Sequence, residues 1–340
     1  TSASDNTAVG YASLGANTTA TNNTAVGSNA LLANTTGTRN TAVGMNALDA
    51  NTTANDNTAV GQGSLSTNTT GSQNTAIGRL SLNVNTTAHS NTAVGFYSLV
   101  ANTTGSLNVA VGANAMEQNT TGNNNTGCGM QALRDNTTGV DNTAVGLNAM
   151  RLNTTANYNT AIGKGALDVN TTGDNNTAVG TVALDSNTTA ENNVAVGSHT
   201  LDSCTTGPRN VAVGSFAMTT STTAEQNVAI GQATLQLLTT GNNNTVVGQT
   251  AGYNLTTGEN NTAIGRGAMY SGTSSYNVAV GLNALYNTAA NYNTGVGYQA
   301  GQASSTGTNN TSLGYNAQPS NSNNSNEVTL GNSSVTALRC

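Results

Sequence analysis

Polar and apolar residues follow each other along this chain in a pattern that returns at a fixed interval. The segment N-T-A-V-G, or a close variant, begins at Asn6, Asn23 and Asn40 and recurs at the same spacing as far as Asn261. The next two intervals are each a single residue shorter, and they place the repeat at Asn277 and Asn293. Glu327 takes the place of the Asn in the last copy. The pattern predicts a fold of twenty small repeated units, which we call coils, each numbered from its opening residue as position 1.

The first half of each coil has the alternation of a short strand. Positions 2 and 4 hold Thr, Val or Ile around a small residue at position 3, as in Thr24, Ala25 and Val26. In a strand, positions 2 and 4 share one face and position 3 points to the other. Position 9 is Leu or Met in most coils, after a small residue at position 8. We expect positions 4 and 9 to form the core, and the small residues to form a smooth stripe that suits the approach of a second chain.

The second half of each coil carries turn formers. Position 5 is Gly in all twenty coils, which predicts a positive φ or a close backbone approach. Positions 12 to 15 read N-T-T-G or N-T-T-A in most coils, and these residues favour turns. One coil is too small to fold alone, whereas copies stacked at ~4.8 Å would form a rod of roughly 95 Å. The predicted fold class is therefore all-β, a parallel β-solenoid of about twenty coils, with disorder as the alternative for a chain of low hydrophobicity.

The regularity of the repeat divides this one long domain into three stretches. Residues 1–261 are a regular shaft, residues 262–325 are continuing but irregular coils rich in Tyr, and residues 326–340 are a terminal coil and a junction. The irregular stretch is where the spacing of the repeat shortens.

Charge and reactive residues are too sparse for several classes of function. Charged residues make up 6% of the chain, with a net charge of −6, so we expect no nucleic-acid partner. No apolar run reaches the ~20 residues of a membrane span, so we expect no membrane insertion. His89 and His199 occupy different coil positions, and no pair of carboxylates recurs. We therefore expect no enzyme, no cofactor, and no catalytic, cofactor-binding or metal site. Cys128 replaces the aliphatic residue at position 4, and we expect it to be buried.

A file of N-T-T triplets runs along the chain, and each triplet has two interpretations. Every one is a glycosylation sequon, and every one could instead form an Asn ladder from coil to coil. A third hypothesis assigns the evenly spaced Thr residues to ice binding. The triplets begin at Asn17, Asn34, Asn51, Asn68, Asn85, Asn102, Asn119, Asn136, Asn153, Asn170 and Asn187.

Tyrosines concentrate towards the C-terminal end of the sequence, where three share one coil position and two share another. Stacked tyrosines can stabilise neighbouring strands, and exposed aromatic rings also suit sugars. The candidates for glycan or receptor contact are Tyr253, Tyr270, Tyr286, Tyr298 and Tyr315.

The kernel V-G-S-N-A-L at Val26–Leu31 resembles the head repeats of YadA-like trimeric adhesins. That resemblance implies a left-handed parallel β-roll with three chains around one axis, and the hexapeptide pattern of left-handed triangular β-helices is an alternative cross-section. The full repeat, N-T-A-V-G…A-L…N-T-T-G, looks more like the arrays of phage and virus tail fibres. The segment Asn326–Cys340 is similar to the junction that precedes an intramolecular chaperone domain in such fibres.

These resemblances imply a structural fibre protein, the elongated shaft of a viral or phage tail fibre. Its partners would be further copies of itself, as a homotrimer or fibre assembly, and host-surface glycans. Its location would be extracellular or on the virion, where it would position or contribute to attachment. One alternative is the head of a bacterial surface adhesin of the trimeric autotransporter type. Another is an ice-binding or glycosylated extracellular filament protein.

Overall fold

The computed structural model describes residues 3–337 and consists of two compact units, Thr1–Asp174 and Asn175–Cys340. Each unit is a parallel β-solenoid with one three-residue strand per coil, which confirms the predicted fold class. In the part of the chain that is described there is no helix, and thus none that could cross a membrane. Residues 338–340, the end of the predicted junction, lie outside the described residues.

The first unit contains ten strands, which are β1 (Thr7–Val9), β2 (Thr24–Val26), β3 (Thr41–Val43), β4 (Thr58–Val60), β5 (Thr75–Ile77), β6 (Thr92–Val94), β7 (Val109–Val111), β8 (Thr126–Cys128), β9 (Thr143–Val145) and β10 (Thr160–Ile162). The second unit contains another ten, which are β11 (Thr177–Val179), β12 (Val194–Val196), β13 (Val211–Val213), β14 (Val228–Ile230), β15 (Thr245–Val247), β16 (Thr262–Ile264), β17 (Val278–Val280), β18 (Thr294–Val296), β19 (Thr311–Leu313) and β20 (Val328–Leu330).

Equivalent residues of successive coils pair with each other. In the first unit, β9 pairs with β10 so that Thr143 lies beside Thr160. The shortened coils of the second unit keep this register, because Thr262 pairs with Val278 and Val278 with Thr294. The missing residue is therefore taken out of the turns, and the strands are unaffected.

The two faces of the strands are the reverse of those expected. From the second coil to the nineteenth the residues at position 3, such as Ala144, are buried, while Val145 at position 4 is exposed. The expected core at position 4 and the expected stripe of small residues on the surface are both wrong. The prediction that Cys128 is buried fails for the same reason, because position 4 faces outward. The other half of the expectation holds, since Leu or Met at position 9 is buried in both units.

The narrow interior explains this reversal. A Cβ atom added to Gly127 at position 3 would lie 2.9 Å from Cγ of Met116, a position-9 side chain of the preceding coil. A methyl group thus already fills the available space. Val246 is an exception at position 3, and its own coil has Gly252 in place of the large residue at position 9. The interior therefore accepts a larger side chain at one position only where another is removed.

Left-handed backbone conformations form the corners of the coil. At position 5, Gly146 has a φ of 136°, and an added Cβ would lie 2.5 Å from the carbonyl oxygen of Gly163. Both the positive φ and the close approach of another backbone therefore require a glycine at position 5. Leu133 at position 9 also has a positive φ, of 51°. That conformation costs roughly 1–2 kcal/mol in a non-glycine residue, and full burial of a Leu side chain contributes about 1.5–3 kcal/mol in compensation.

We predict that Ala144→Val destabilises the protein by about 1–3 kcal/mol, because the enlarged side chain has to enter a filled interior. The neighbouring Thr143→Val is the control. It introduces the same side chain on the outward face, where six other coils already have Val at position 2, and its effect should stay within about 0.5 kcal/mol. Urea unfolding followed by circular dichroism measures both variants. Equal effects of the two substitutions would contradict the assignment of the faces.

Candidate functional site

Two files of asparagine side chains run through the interior of the coils. The first, which we call the position-12 ladder, consists of the N-T-T asparagines, and from Asn34 to Asn187 they are fully buried. In this ladder, Nδ2 of Asn119 donates to Oδ1 of Asn102 over 2.8 Å and to the carbonyl oxygen of Gly122 over 3.1 Å. Each amide thus connects one coil to the next and also closes its own turn.

The second file, the position-1 ladder, consists of the asparagines that open the coils, and the sequence analysis did not foresee it. Nδ2 of Asn108 donates to the carbonyl oxygen of Gly122 over 2.8 Å. Oδ1 of Asn108 accepts a hydrogen bond from the backbone N–H of Asn125 in the next coil, over 2.9 Å. The Gly122 carbonyl therefore receives amides from both ladders. Buried polar groups are tolerated when they are hydrogen-bonded in this way.

The position-12 ladder changes in the second unit, while the position-1 ladder continues there. Cys204, Ser221 and Leu238 stand in the N-T-T file, and Sγ of Cys204 donates to the carbonyl oxygen of Gly207 over 3.3 Å. Burial raises the pKa of the Cys204 thiol to about 11. Asn244 and Asn261 maintain the position-1 ladder, with Nδ2 of Asn261 donating to Oδ1 of Asn244. The position-1 amide is therefore the more constant part of the interior.

The burial of the N-T-T asparagines bears on glycosylation. A glycan would have to be attached to an Nδ2 atom that is buried in the folded coil, as it is in Asn119. A second set of sequons reads N-N-T, and its first asparagine is the exposed residue at position 17. These exposed sequons begin at Asn22, Asn124, Asn175, Asn243, Asn260 and Asn309. Spacing of the N-T-T triplets alone gave no sign of this difference in burial.

The two Thr files beside the position-12 ladder differ in their exposure. Oγ1 of Thr120, at position 13, donates to the carbonyl oxygen of Thr137 over 2.9 Å, so this hydroxyl takes part in the coil-to-coil bonding. Thr121, at position 14, is exposed. The position-14 file is thus the one that presents its side chains to water.

The side chains at positions 2 and 4 form a second surface, which we call the outward strand face. It is made of β-branched and aliphatic side chains, and Ile162 in the first unit and Ile264 in the second are each 42% exposed. The more exposed aliphatic members are Val9, Ile77, Val109, Val111, Val145, Ile162, Ile230, Ile264, Val278, Val296, Leu313, Val328 and Leu330. Contiguous exposed apolar surface is typical of interaction sites, and this face is therefore a candidate for one.

Opposite charges flank the outward strand face. Positions 6 and 7, just after each strand, form what we call the basic rim, with Arg79, Lys164 and Arg266 and no Asp or Glu. Positions 16 and 17, just before each strand, form the acidic rim. Its acidic members are Asp5, Asp56, Asp141, Asp174, Glu191, Glu225 and Glu259. Two arginines also lie on the acidic rim, and one of them, Arg39, is paired with Asp56 over 2.6 Å. The hydrogen bond from Arg39 lowers the pKa of Asp56.

The candidate tyrosines are stacked along the coils. Tyr253, Tyr270 and Tyr286 are half-buried at position 10, with ring centroids 5.2 and 4.9 Å apart and nearly parallel planes. Tyr298 and Tyr315 form a second stack on the basic rim, with centroids 5.3 Å apart. Stacking covers the ring faces against which sugars pack, except at the two ends of each stack. The candidates are thus close to one another in two groups, and the ring faces inside each stack are covered.

A third stack was missed by the sequence analysis. The rings of Tyr276 and Tyr292 lie 5.2 Å apart on the acidic rim, with planes 14° apart. Both residues occupy the last position of a shortened coil. They share the same position when each coil is counted from its opening Asn, so the sequence could have predicted this stack.

Titratable side chains are scattered over the part of the chain that the structure describes. Nδ1 of His89 accepts a hydrogen bond from the backbone N–H of Ser72, and the ring of His199 stacks on Phe216 beside Asp202. Among residues 3–337, no group of three His, Cys, Asp or Glu side chains is placed to hold a metal ion. An open depression near β20 is lined by Asn316, Gln318, Thr329, Leu330, Gly331, Asn332 and Ser333, none of which is ionisable.

No protein-family model matches this chain, and no curated protein matches it either.

We predict that Asn119→Asp destabilises the protein by at least about 2 kcal/mol at neutral pH, because a carboxylate has no hydrogens to donate to Asn102 and Gly122. Asn124→Asp is the matched control, since it makes the same change at exposed position 17, where Asp56 and Asp141 occur naturally. Thermal and urea unfolding of the two variants gives the comparison. A buried and an exposed substitution with the same small effect would refute the ladder.

We predict that the Cys204 thiol stays unreactive towards thiol reagents at about pH 8 until the protein unfolds, because reaction requires the thiolate. The measurement uses a chain in which Cys128→Val and Cys340→Ser leave Cys204 as the single cysteine. A second chain carries Cys204→Ser and Thr206→Cys in the same background, since Thr206 is exposed. It should react at once in the folded state. Rapid labelling of Cys204 without denaturant would contradict its burial in the ladder.

Proposed function

We propose that this chain is a structural fibre protein, the shaft of a viral or phage tail fibre that assembles as a parallel homotrimer. It would lie on a virion or otherwise outside the cell, and it would position or contribute to attachment at a host surface. The observation that carries this proposal is the outward strand face, an apolar surface without a partner in the single chain. The covering partner would be further copies of the same chain.

The size of the face supports self-assembly. Ten coils at a spacing of ~4.8 Å give each unit a face about 48 Å long, and a width of about 15 Å with its rims gives on the order of 700 Å². Specific protein interfaces bury about 800 Å² on each partner. One unit thus offers nearly the area of a standard interface.

The charges on the two rims favour a parallel, cyclic arrangement. Rotation about an axis along the coil stack brings the basic rim of one copy against the acidic rim of the next. In the second unit, Arg266 and Glu259 lie at opposite ends of β16 and would meet at the same height. An antiparallel pair would instead place acidic rim against acidic rim, which like charges disfavour. Complementary charge therefore supports the cyclic trimer implied by the repeat.

Contact with host glycans is the second part of this proposal. The tyrosine stacks support it at their ends, where Tyr253 and Tyr286 each have one ring face that is not covered by another tyrosine of their stack. Because only the ring faces at the ends of a stack are open, contact with glycans would be confined to the coils that carry these end tyrosines.

Ice binding is an alternative function, and the regular Thr and Val files of the outward strand face favour it. In a monomer the outward strand face would remain open, with regular Thr and Val files and without charge between its rims. A monomeric chain that shows thermal hysteresis in freezing solutions would support that function over a fibre shaft.

Cross-linking of single cysteines tests the parallel assembly. We predict that Cys128, at position 4, cross-links to its own copy through a short bis-maleimide in a Cys340→Ser chain, because equivalent residues would face each other around the axis. Val43→Cys and Val213→Cys, each made with Cys128→Val and Cys340→Ser, should cross-link equally well. A parallel assembly in register brings all three sites to their own copies, whereas an antiparallel pair can do so at one site at most.

The control chain places the cysteine on the far side of the coil, through Thr138→Cys with Cys128→Val and Cys340→Ser. Thr138 is exposed at position 14, outside the outward strand face and its rims. This chain should stay uncross-linked at the same protein concentration. Absence of cross-links at all three position-4 sites would overturn the proposal.

A further inference from the structure

We infer that the exposed tyrosines on the two rims of the second unit, Tyr276, Tyr292, Tyr298 and Tyr315, are contacts between subunits. They would form an aromatic clamp in which the Tyr276–Tyr292 stack of one copy meets the Tyr298–Tyr315 stack of the next. This inference rests on the proposed self-assembly and names the residues that would specify it in these coils.

The four tyrosines flank neighbouring strands at opposite ends. Tyr276 and Tyr292 lie two residues before β17 and β18, and Tyr298 and Tyr315 lie two residues after β18 and β19. Strand β18 therefore has a tyrosine on each rim. Their exposed fractions are 45%, 57%, 41% and 64%, in chain order. Aromatic side chains are enriched at protein interfaces.

The rims lose their charges where the tyrosines appear. No Asp, Glu, Lys or Arg occurs anywhere in residues 267–326. The ionic contact proposed at β16, between Arg266 of one copy and Glu259 of the next, thus has no counterpart in the following coils. Stacked tyrosines take the same coil positions there. An aromatic contact would therefore replace the ionic contact at the same place in the assembly.

The stacked geometry suits a protein partner. Stacking within each pair covers the ring faces that meet, while all four residues keep substantial exposed surface. Edge-to-face arrangement of aromatic rings is favourable, and tyrosine combines a rigid apolar ring with a hydrogen-bonding group. The pair on each rim also holds its rings in place before assembly, because neighbouring coils fix their spacing.

The tyrosines at position 10 provide an internal comparison. Tyr253, Tyr270 and Tyr286 are stacked with the same spacing, but their coil position is on neither rim. They should contribute to the stability of the coils and leave assembly unaffected. A difference between the two groups thus separates subunit contact from simple stacking.

The test measures dissociation of the assembly by sedimentation over a concentration series. The rim variant is Tyr276→Asn with Tyr292→Asn, because Asn is the common residue at the last coil position and tolerates the positive φ found there. We expect its dissociation midpoint to rise at least tenfold, as for loss of aromatic anchors at an interface. Tyr276→Phe with Tyr292→Phe should keep most of the affinity.

The matched control is Tyr253→Asn with Tyr270→Asn, which removes a stack at position 10, where Asn83 occurs naturally. It should lower the temperature of unfolding without a change in the dissociation midpoint. A rim variant that assembles like the unmodified chain would overturn the clamp.

A third variant, Val145→Asp, distinguishes that outcome from failure of the proposed function. It places a charge on the outward strand face of the first unit, between the two rims, and should abolish assembly. If it does so while the rim variant has no effect, the clamp is wrong and the proposed assembly stands. If the unmodified chain is itself a monomer, the proposed function fails.

Discussion

The width of the coil interior is the constraint on which the rest of the structure depends. Across that interior there is room for a methyl group at position 3, one large side chain at position 9, and two asparagine amides that meet on a single turn carbonyl. A small apolar core of this kind contributes little hydrophobic stabilisation per coil. Hydrogen bonds between coils, from backbone and amide groups, therefore carry much of the cohesion, and every amide depends on its copy in the next coil.

The same constraint explains where the larger β-branched side chains go. Because the interior has no space for them, Val and Ile at position 4 lie on the outside, although the chain has few charged residues to keep such a surface in water. A single chain is thus left with an apolar face. The opposite charges on its two rims favour parallel over antiparallel packing of two such faces. The scarcity of charge and the outward aliphatic files fit the proposed assembly, in which neighbouring copies would complete the burial of this face.

The sequence was sufficient for the architecture because the period of the repeat is visible without any structure. It also indicated the glycine at position 5 and the ladder interpretation of the N-T-T triplets. It could not indicate which strand face is buried, since alternation of Thr, Ala and Val is compatible with either face when Ala is the small residue. That choice depends on the distance across the coil, and hence on contacts such as that of position 3 with Met116. The stack of Tyr276 and Tyr292 could have been predicted, because both residues hold the last position of a shortened coil.

Sedimentation equilibrium of the purified chain at micromolar concentration shows whether further copies of this chain cover the outward strand face. If they do so as a trimer, the mass is three times 33.9 kDa, the mass of one chain. A mass of 33.9 kDa that persists as the concentration rises would contradict it.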